Sequence, residues 1–552
     1  MDLNPIPLRN LFNAQGTPKR IPQGLLSVLA NLDPEDDQPE NPCVIDKIKS
    51  GKNKIYLGQA ACNPETTIRY PFWLPADLLS SHMFIGGAIG SGKTTILFRL
   101  ISGALKWYGT VIVCEAKGGI NGTQDGAAFT DLANYLHQKW PQINFYRWPR
   151  GNCCFNPLEY LDDAQNRRDF FLMIGQIVIE HYKLDGETAA VVFNAATISE
   201  HLLMFLQEFV PDKTPTFREL LRLLSSPDLV KDELSKVKEA FKRNRDETMK
   251  PKSLLVELIE YELTMTNFFH LKTAQLVLTR RGVQLFKNIL NHEDLLTYSE
   301  PNPGLTTLAL DDILYHRSLV ILSQPISKKS SAIIGPLFLD SILIRVIESG
   351  PSSPHIYPAR EKILAILDET HRLPVGSLGQ AGDFLREYNV GLVEVAPTIS
   401  DNQIRWEQNK HVYQTILSLS PGIPTLTNLI HGRLPNLPVN PVISSFSHSP
   451  SGISKVRVAR REDYQLEIGI DNPGIASRSL QVSGRFTGLL QSPLLHEERK
   501  LFWIDFEDEL LSNIKTLIKQ ALRHDATPSS KNLVDYALGL DDFKFSSLLE
   551  HN

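Results

Sequence analysis

The chain is poor in cysteine, and what it has follows no pattern. Its 552 residues include five cysteines, Cys43, Cys62, Cys114, Cys153 and Cys154, and no two are spaced as CxxC. This excludes a zinc ribbon and a disulfide scaffold, and it fits a reduced, cytoplasmic setting. The histidines show no metal-ligand spacing. No uninterrupted apolar run reaches the roughly 20 residues that cross a bilayer, so no membrane span is expected. Met1 to Gln23 holds no apolar core between a basic start and small residues, so no secretory signal is readable. Positive charge is not in excess either. Lys and Arg number 57 against 62 Asp and Glu, a net charge of −5. A protein that coats nucleic acid with its whole surface is thereby disfavoured, while a local basic channel stays compatible. There is no internal repeat. Intrinsic disorder is excluded by 42% hydrophobic residues and a mean hydropathy of −0.15.

What is present reads as several domains. Residues 1–53 form a leader and linker, with the acidic, proline-punctuated Asp33-Pro34-Glu35-Asp36-Asp37-Gln38-Pro39-Glu40. From Lys54 short apolar runs alternate with helical patterns. Met83-Phe84-Ile85, Thr110 to Cys114 and Ile143 to Tyr146 read as strands, and Thr94 to Leu105 and Ala127 to Lys139 as helices. Such alternation predicts an α/β fold with a mostly parallel sheet. From Asp162 to Tyr298 helical spacing takes over, and its charged stretch Asp228 to Lys252 reads as a solvated helix face. Strand patterns resume at Ser318 to Leu322, Ile363 to Leu367 and Gly391 to Val395. Beyond Pro435, Lys455 to Arg460 and Gln465 to Ile470 read as strands, and Phe506 to Leu522 as an amphipathic helix.

One motif dominates the chemistry. Gly87-Ala88-Ile89-Gly90-Ser91-Gly92-Lys93-Thr94 matches G-x-x-x-x-G-K-[ST] in full, between a strand and a helix. Glycines let successive backbone N–H groups turn toward phosphate oxygens, and the following helix adds its positive end. Lys93 is expected to reach the β- and γ-phosphates of ATP and Thr94 to ligate Mg²⁺, with Thr95 completing the binding set. A second element is Ile363 to Leu367 followed by Asp368-Glu369. An apolar strand ending in two carboxylates suits a Walker B element: Asp368 for the metal, Glu369 to orient the attacking water. About 275 residues separate Lys93 from Asp368, where a βαβ unit takes roughly 30. The helical stretch accounts for the excess as a domain inserted into the nucleotide-binding core.

With these residues in view the sequence resembles the TraD/TraG-like ATPases, the coupling proteins of type IV secretion within the FtsK/HerA group of P-loop motors. Ser81-His82-Met83-Phe84-Ile85-Gly86-Gly87 resembles the approach to that family's phosphate loop. Val113-Cys114-Glu115-Ala116-Lys117-Gly118 resembles its D-x-K-G strand end, with Glu115 in place of Asp, and Phe155-Asn156-Pro157-Leu158 its N-P-L. The resemblance covers roughly Lys54 to Ser420. It implies a RecA-like core, a helical domain inserted after N-P-L, a hexameric ring with ATP at subunit interfaces, and DNA in a central pore. The chain departs from the family in showing no N-terminal membrane anchor. It also has no glutamine in Ala396-Pro397-Thr398-Ile399-Ser400. A ring ATPase needs an arginine acting on a neighbour's nucleotide. Arg386 sits where the family often has one, and Arg372 is the competitor.

The expected architecture is therefore a RecA-like P-loop NTPase core at 54–161 and 299–435. An all-helical insertion occupies 162–298, and a C-terminal β-plus-helix segment occupies 436–552. The expected function is a Mg²⁺-dependent ATPase acting as a ring-forming DNA translocase. The alternative is a regulatory or scaffolding ATPase that gates a protein partner without pumping DNA.

Overall fold

The structure, a computed structural model, describes residues 54–61, 70–88, 90–118, 128–210, 214–243, 250–271, 277–325, 334–348, 362–370, 385–397, 410–419, 442–449, 452–459, 487–492, 501–506, 513–523 and 525–540. The leader 1–53, Arg372 and the strand expected at Gln465–Ile470 lie outside them.

An antiparallel pair comes first, β1 (Lys54–Ala61) and β2 (Tyr70–Pro75). Strands and helices then alternate: β3 (Met83–Gly86), α1 (Lys93–Trp107), β4 (Thr110–Gly118), α2 (Ala128–Lys139) and β5 (Asn144–Trp148). After the short β6 (Cys153–Cys154) come α3 (Ala164–Tyr182), α4 (Gly186–Phe209), α5 (Phe217–Ser225), α6 (Pro227–Arg243), α7 (Lys250–Met265), α8 (Val277–Leu290) and α9 (Glu293–Tyr298). The alternation returns with β7 (Thr306–Thr307), α10 (Leu310–Tyr315), β8 (Ser318–Pro325), α11 (Ile334–Glu348), β9 (Ile363–Asp368), β10 (Val390–Ala396) and β11 (Thr415–Leu419). A hairpin of β12 (Val442–Ser449) and β13 (Gly452–Ala459), strands β14 (Thr487–Gln491) and β15 (Leu501–Asp505), and helices α12 (Ile514–Ala521) and α13 (Pro528–Ala537) end the described chain.

Eleven strands form one sheet in the order β2-β1-β15-β14-β11-β3-β10-β9-β4-β8-β5. The seven from β11 to β5 are mutually parallel; β14, β15, β1 and β2 extend the sheet antiparallel. Helices cover both faces of the parallel part, which is why β9, β10 and β11 are buried along their whole length and read as unbroken apolar runs. Alternate residues divide between two cores. Val111, Val113, Leu364 and Ile366 face α1, α2, α12 and α13, while Ile112, Cys114, Ala365 and Leu367 face α11 and the helical block.

The helical block, α3 to α9, contains no strand among its described residues. Its two ends meet at a parallel bridge, Cys153 against Thr306 and Cys154 against Thr307, beside a hydrogen bond from the Phe155 N–H to the Tyr298 carbonyl at 2.8 Å. Helices begin where side chains cap them: Asp163 accepts from the Gln165 N–H at 2.9 Å and Thr216 from the Glu219 N–H at 3.2 Å. α4 is long and apolar enough to cross a membrane by length and composition, but it is the hub of the block, packed by α3, α7 and α8, with 67% of its most apolar window buried. The block's interior also continues without a break into the sheet face lined by Ile112 and Trp148 and onto Phe338 of α11.

The C-terminal segment is built into the core. Besides lending β14 and β15 to the sheet, it delivers α13 onto α1. There the fully buried Arg99 donates to the carbonyls of Ala537 and Leu57, both at 2.8 Å, and lies 5.0 Å from the Tyr56 ring. Lys139 pairs with Asp535 at 2.6 Å, and Tyr135 donates to the same carboxylate at 2.8 Å.

Candidate phosphate and metal site

The loop between β3 and α1 lies at the carboxyl end of the parallel strands, where a doubly wound sheet binds ligands. Gly90 and Gly92 have φ of +87° and +93°, a region closed to most side chains. A Cβ on Gly87 would lie 2.6 Å from Ser91 Oγ and 2.8 Å from Leu419 Cβ, so only glycine lets the loop fold against β11. Gly92 stands at the N-cap of α1 and has no side chain to bond the first-turn N–H groups. Lys93 Nζ donates back into the loop, to the carbonyls of Gly87 at 2.6 Å and Ala88 at 2.9 Å. Ile89 lies outside the described residues.

Asp368 ends β9, two strands from β3 across β10. Thr94 Oγ1 donates to Asp368 Oδ2 at 3.5 Å, so residues 274 apart in sequence meet. Asp368 and Glu369 are 1% and 3% exposed. Glu369 has φ +58°, a left-handed backbone that costs a non-glycine residue about 1–2 kcal/mol. The strand ends there, and Thr370 donates to the Val395 carbonyl at 3.3 Å. Strain of this kind persists where the surroundings fix it, and it collects at functional sites.

These residues fit a nucleoside triphosphate with a magnesium ion. Ser91 Oγ is buried with no hydrogen-bond partner, the loop's lysine bonds two carbonyl acceptors that phosphate would outcompete, and the α1 N-terminus carries the positive end of the helix. Among the described residues no three or more His, Cys, Asp or Glu form a metal cage. Magnesium does not require one, since it is held by one or two carboxylates together with substrate phosphates and water.

No family model matches the sequence, and no curated protein matches it significantly. Solved structures do match. The bacterial conjugative coupling protein TrwBdeltaN70, in an unbound monoclinic form, aligns over 82% of this chain and 96% of its own, at 12% identity and a TM-score of 0.51. The chain has the fold of a conjugative coupling protein. The plasmid coupling protein TrwB with ADP and Mg²⁺ aligns over 78% of this chain and 87% of its own, at 11% identity and a TM-score of 0.48. VirB4 of Thermoanaerobacter pseudethanolicus aligns over 83% and 96%, at 12% identity and a TM-score of 0.44.

Within this coupling-protein fold the other expected residues are dispersed. Arg386 is exposed in the turn before β10. β10 runs parallel to β3, so Arg386 lies at the amino edge of the sheet while the phosphate loop lies at the carboxyl edge. Seven residues at roughly 3.3 Å each separate those edges, too far for Arg386 to touch this chain's own loop. Lys117 lies in β4, and its side chain is outside the described set, as is the 398–400 stretch. Two buried groups that the sequence offered only within motif stretches, with no role of their own, also stand out. His82, with φ +59° and 1% exposure, accepts from the Leu392 N–H at 3.0 Å and joins β3 to β10. Glu115, 2% exposed, sits directly opposite Asp368 in the β4–β9 ladder. The signal for Glu115 was a charge at the end of an apolar strand, the same signal that marked Asp368.

Proposed function

We propose that the chain is a magnesium-dependent ATPase acting as a ring-forming, DNA-transferring motor of the coupling-protein kind. The observation that carries this reading is the meeting of Lys93, Thr94 and Asp368 at the carboxyl edge of the parallel sheet, 274 residues apart at the Thr94–Asp368 contact. The TrwB structures with ADP and Mg²⁺ and with ATP and GTP analogues support a nucleotide there.

In this reading the backbone N–H groups from Gly87 to Thr95 bind the phosphates, and Lys93 leaves the loop carbonyls to neutralise the β- and γ-phosphates. Thr94 and Asp368 hold the metal, which when bound draws charge from the transferring phosphoryl group. Glu369 orients the attacking water. Arg386, at the opposite edge of the sheet from its own phosphate loop, serves a neighbouring subunit's nucleotide, which makes the ring necessary for full turnover.

The test is a pair of variants. Lys93→Ala should lose tight ATP binding, because it deletes the cation set among the phosphates. Glu369→Gln should bind ATP and hydrolyse it slowly. Equal ATP affinity in Lys93→Ala and wild type would refute the site, and normal turnover in Glu369→Gln would move the water-orienting role elsewhere. A second reading, an ATPase that gates a protein partner, draws on the lack of a glutamine in Ala396–Ser400 and on the net charge of −5. It predicts turnover that ignores DNA and responds to that partner.

A further inference from the structure

Two buried charged groups on the sheet face that bears Asp368 have no part in the reading above: Glu115, one strand from Asp368, and Arg147, three strands from it across β4 and β8. Glu115 and Asp368 are register partners in a parallel ladder, their strands roughly 4.8 Å apart. Their side chains share a face: Val111 and Val113 precede Glu115 at alternate positions, Leu364 and Ile366 precede Asp368, and all four pack toward α1, the helix that bears Thr94. Glu115 therefore stands one strand further along the same face from the Thr94–Asp368 contact. Arg147, on β5, projects from that face as well, since its neighbours Tyr146 and Trp148 belong to the opposite core. It is 4% exposed and its Nε and Nη1 have no hydrogen-bond partner; burial disfavours its charge, and Glu115 opposes that effect only in part. A buried guanidinium with two nitrogens left unpartnered lowers stability, so its presence calls for a function.

We propose that Glu115 is a second carboxylate of the magnesium site, accepting a hydrogen bond from a metal-bound water, and that Arg147 is its positioning residue. This rests on the nucleotide-site reading. The chemistry suits the ion, which keeps several waters and is held by few direct protein ligands. Groups that hold a metal's water or ligands in place change affinity by roughly 10–100-fold when removed. Arg147 supplies a buried positive charge that keeps a second carboxylate tolerable next to Asp368 when no cation is bound.

The experiment measures affinity for a non-hydrolysable ATP analogue with and without Mg²⁺, together with thermal melting, on the full chain. Wild type should bind more tightly with Mg²⁺, and Asp368→Asn should lose that gain. Glu115→Gln should lose roughly 10–100-fold of it while keeping the metal-free affinity, and Glu115→Asp, which retains the carboxylate, should keep most of it. Arg147→Met should also reduce the gain, and the double variant Glu115→Gln/Arg147→Met should be no worse than the worse single one. Without Mg²⁺, Arg147→Met should melt lower than wild type, because two neighbouring buried carboxylates lose their countercharge, and Mg²⁺ with the analogue should narrow that difference. An unchanged Mg²⁺ gain in Glu115→Gln overturns the proposal, and an unchanged Mg²⁺ gain in Arg147→Met overturns Arg147's part by marking it as a structural residue. If wild type does not bind the analogue at all, the nucleotide-site reading itself falls.

Discussion

Gly87 and Gly90 occupy the same loop for different reasons, and their alanine variants should separate those reasons. At Gly90 a Cβ meets nothing within 4 Å, but φ is +87°, so Gly90→Ala should cost about 1 kcal/mol of stability and leave most nucleotide affinity. At Gly87 the new Cβ would press on Ser91 Oγ and Leu419 Cβ, so Gly87→Ala should distort the cradle and abolish binding. Comparing the two variants by calorimetry and melting checks this. Cys153 offers a pH test. Its Sγ donates to the Arg147 carbonyl at 3.2 Å, and burial pushes its thiol up from 9.0 to about 12. Between those values the unfolded chain sheds the proton and the folded chain keeps it, so this contribution to stability is complete below pH about 9 and falls as pH rises toward about 12. Denaturant melts of wild type and Cys153→Ala across that range should diverge, and native Cys153 should resist thiol reagents at pH 8. At this scale the phosphate loop was legible in sequence because its motif is contiguous. The pairing of Glu115 with Asp368 was not, because it lies in a ladder register that joins residues far apart along the chain.

At the scale of elements, the unbroken apolar runs announced β4, β8, β9 and β10, since strands buried on both faces need no alternation. Helix α1 was read to within a turn. The parts that escaped are those whose place depends on distant pairing. β1, β2, β14 and β15 have ordinary short patterns, and nothing local says that they add to the parallel sheet in antiparallel order. Of the C-terminal helix expected at Phe506–Leu522 the described residues show Ile514–Ala521, with 507–512 outside them, and a second helix follows at Pro528–Ala537. Arg99 shows how the ends are tied. It spends its buried guanidinium on carbonyls of β1 and α13, so Arg99→Met should leave two carbonyls unsatisfied and cost about 2–5 kcal/mol. Proteolysis should then release the C-terminal helices first. An Arg99→Met protein that melts and digests like wild type would separate the C-terminal segment from core stability.

For the whole molecule, the charge balance and the fold bear on function together. A net charge of −5 leaves no basic surface at large, yet a pore needs only a few Lys or Arg per subunit repeated around a ring. The helical block, continuous in its core with one face of the sheet, should move with the nucleotide core as one body, so that hydrogen exchange in α3 and α4 should slow when a non-hydrolysable analogue binds. The central claim is that hydrolysis drives DNA transfer in an assembly that completes each site with a neighbour's arginine. Its most direct test is the ATP hydrolysis rate of protein whose oligomeric state is known, with and without DNA, over a range of salt, for wild type and Arg386→Ala. The account predicts an oligomer whose rate rises with DNA, loses that rise as salt screens phosphate contacts, and falls by up to roughly 10³–10⁵-fold in Arg386→Ala with ATP binding intact. A monomer in the presence of ATP, hydrolysing at a rate that DNA leaves unchanged, would contradict it.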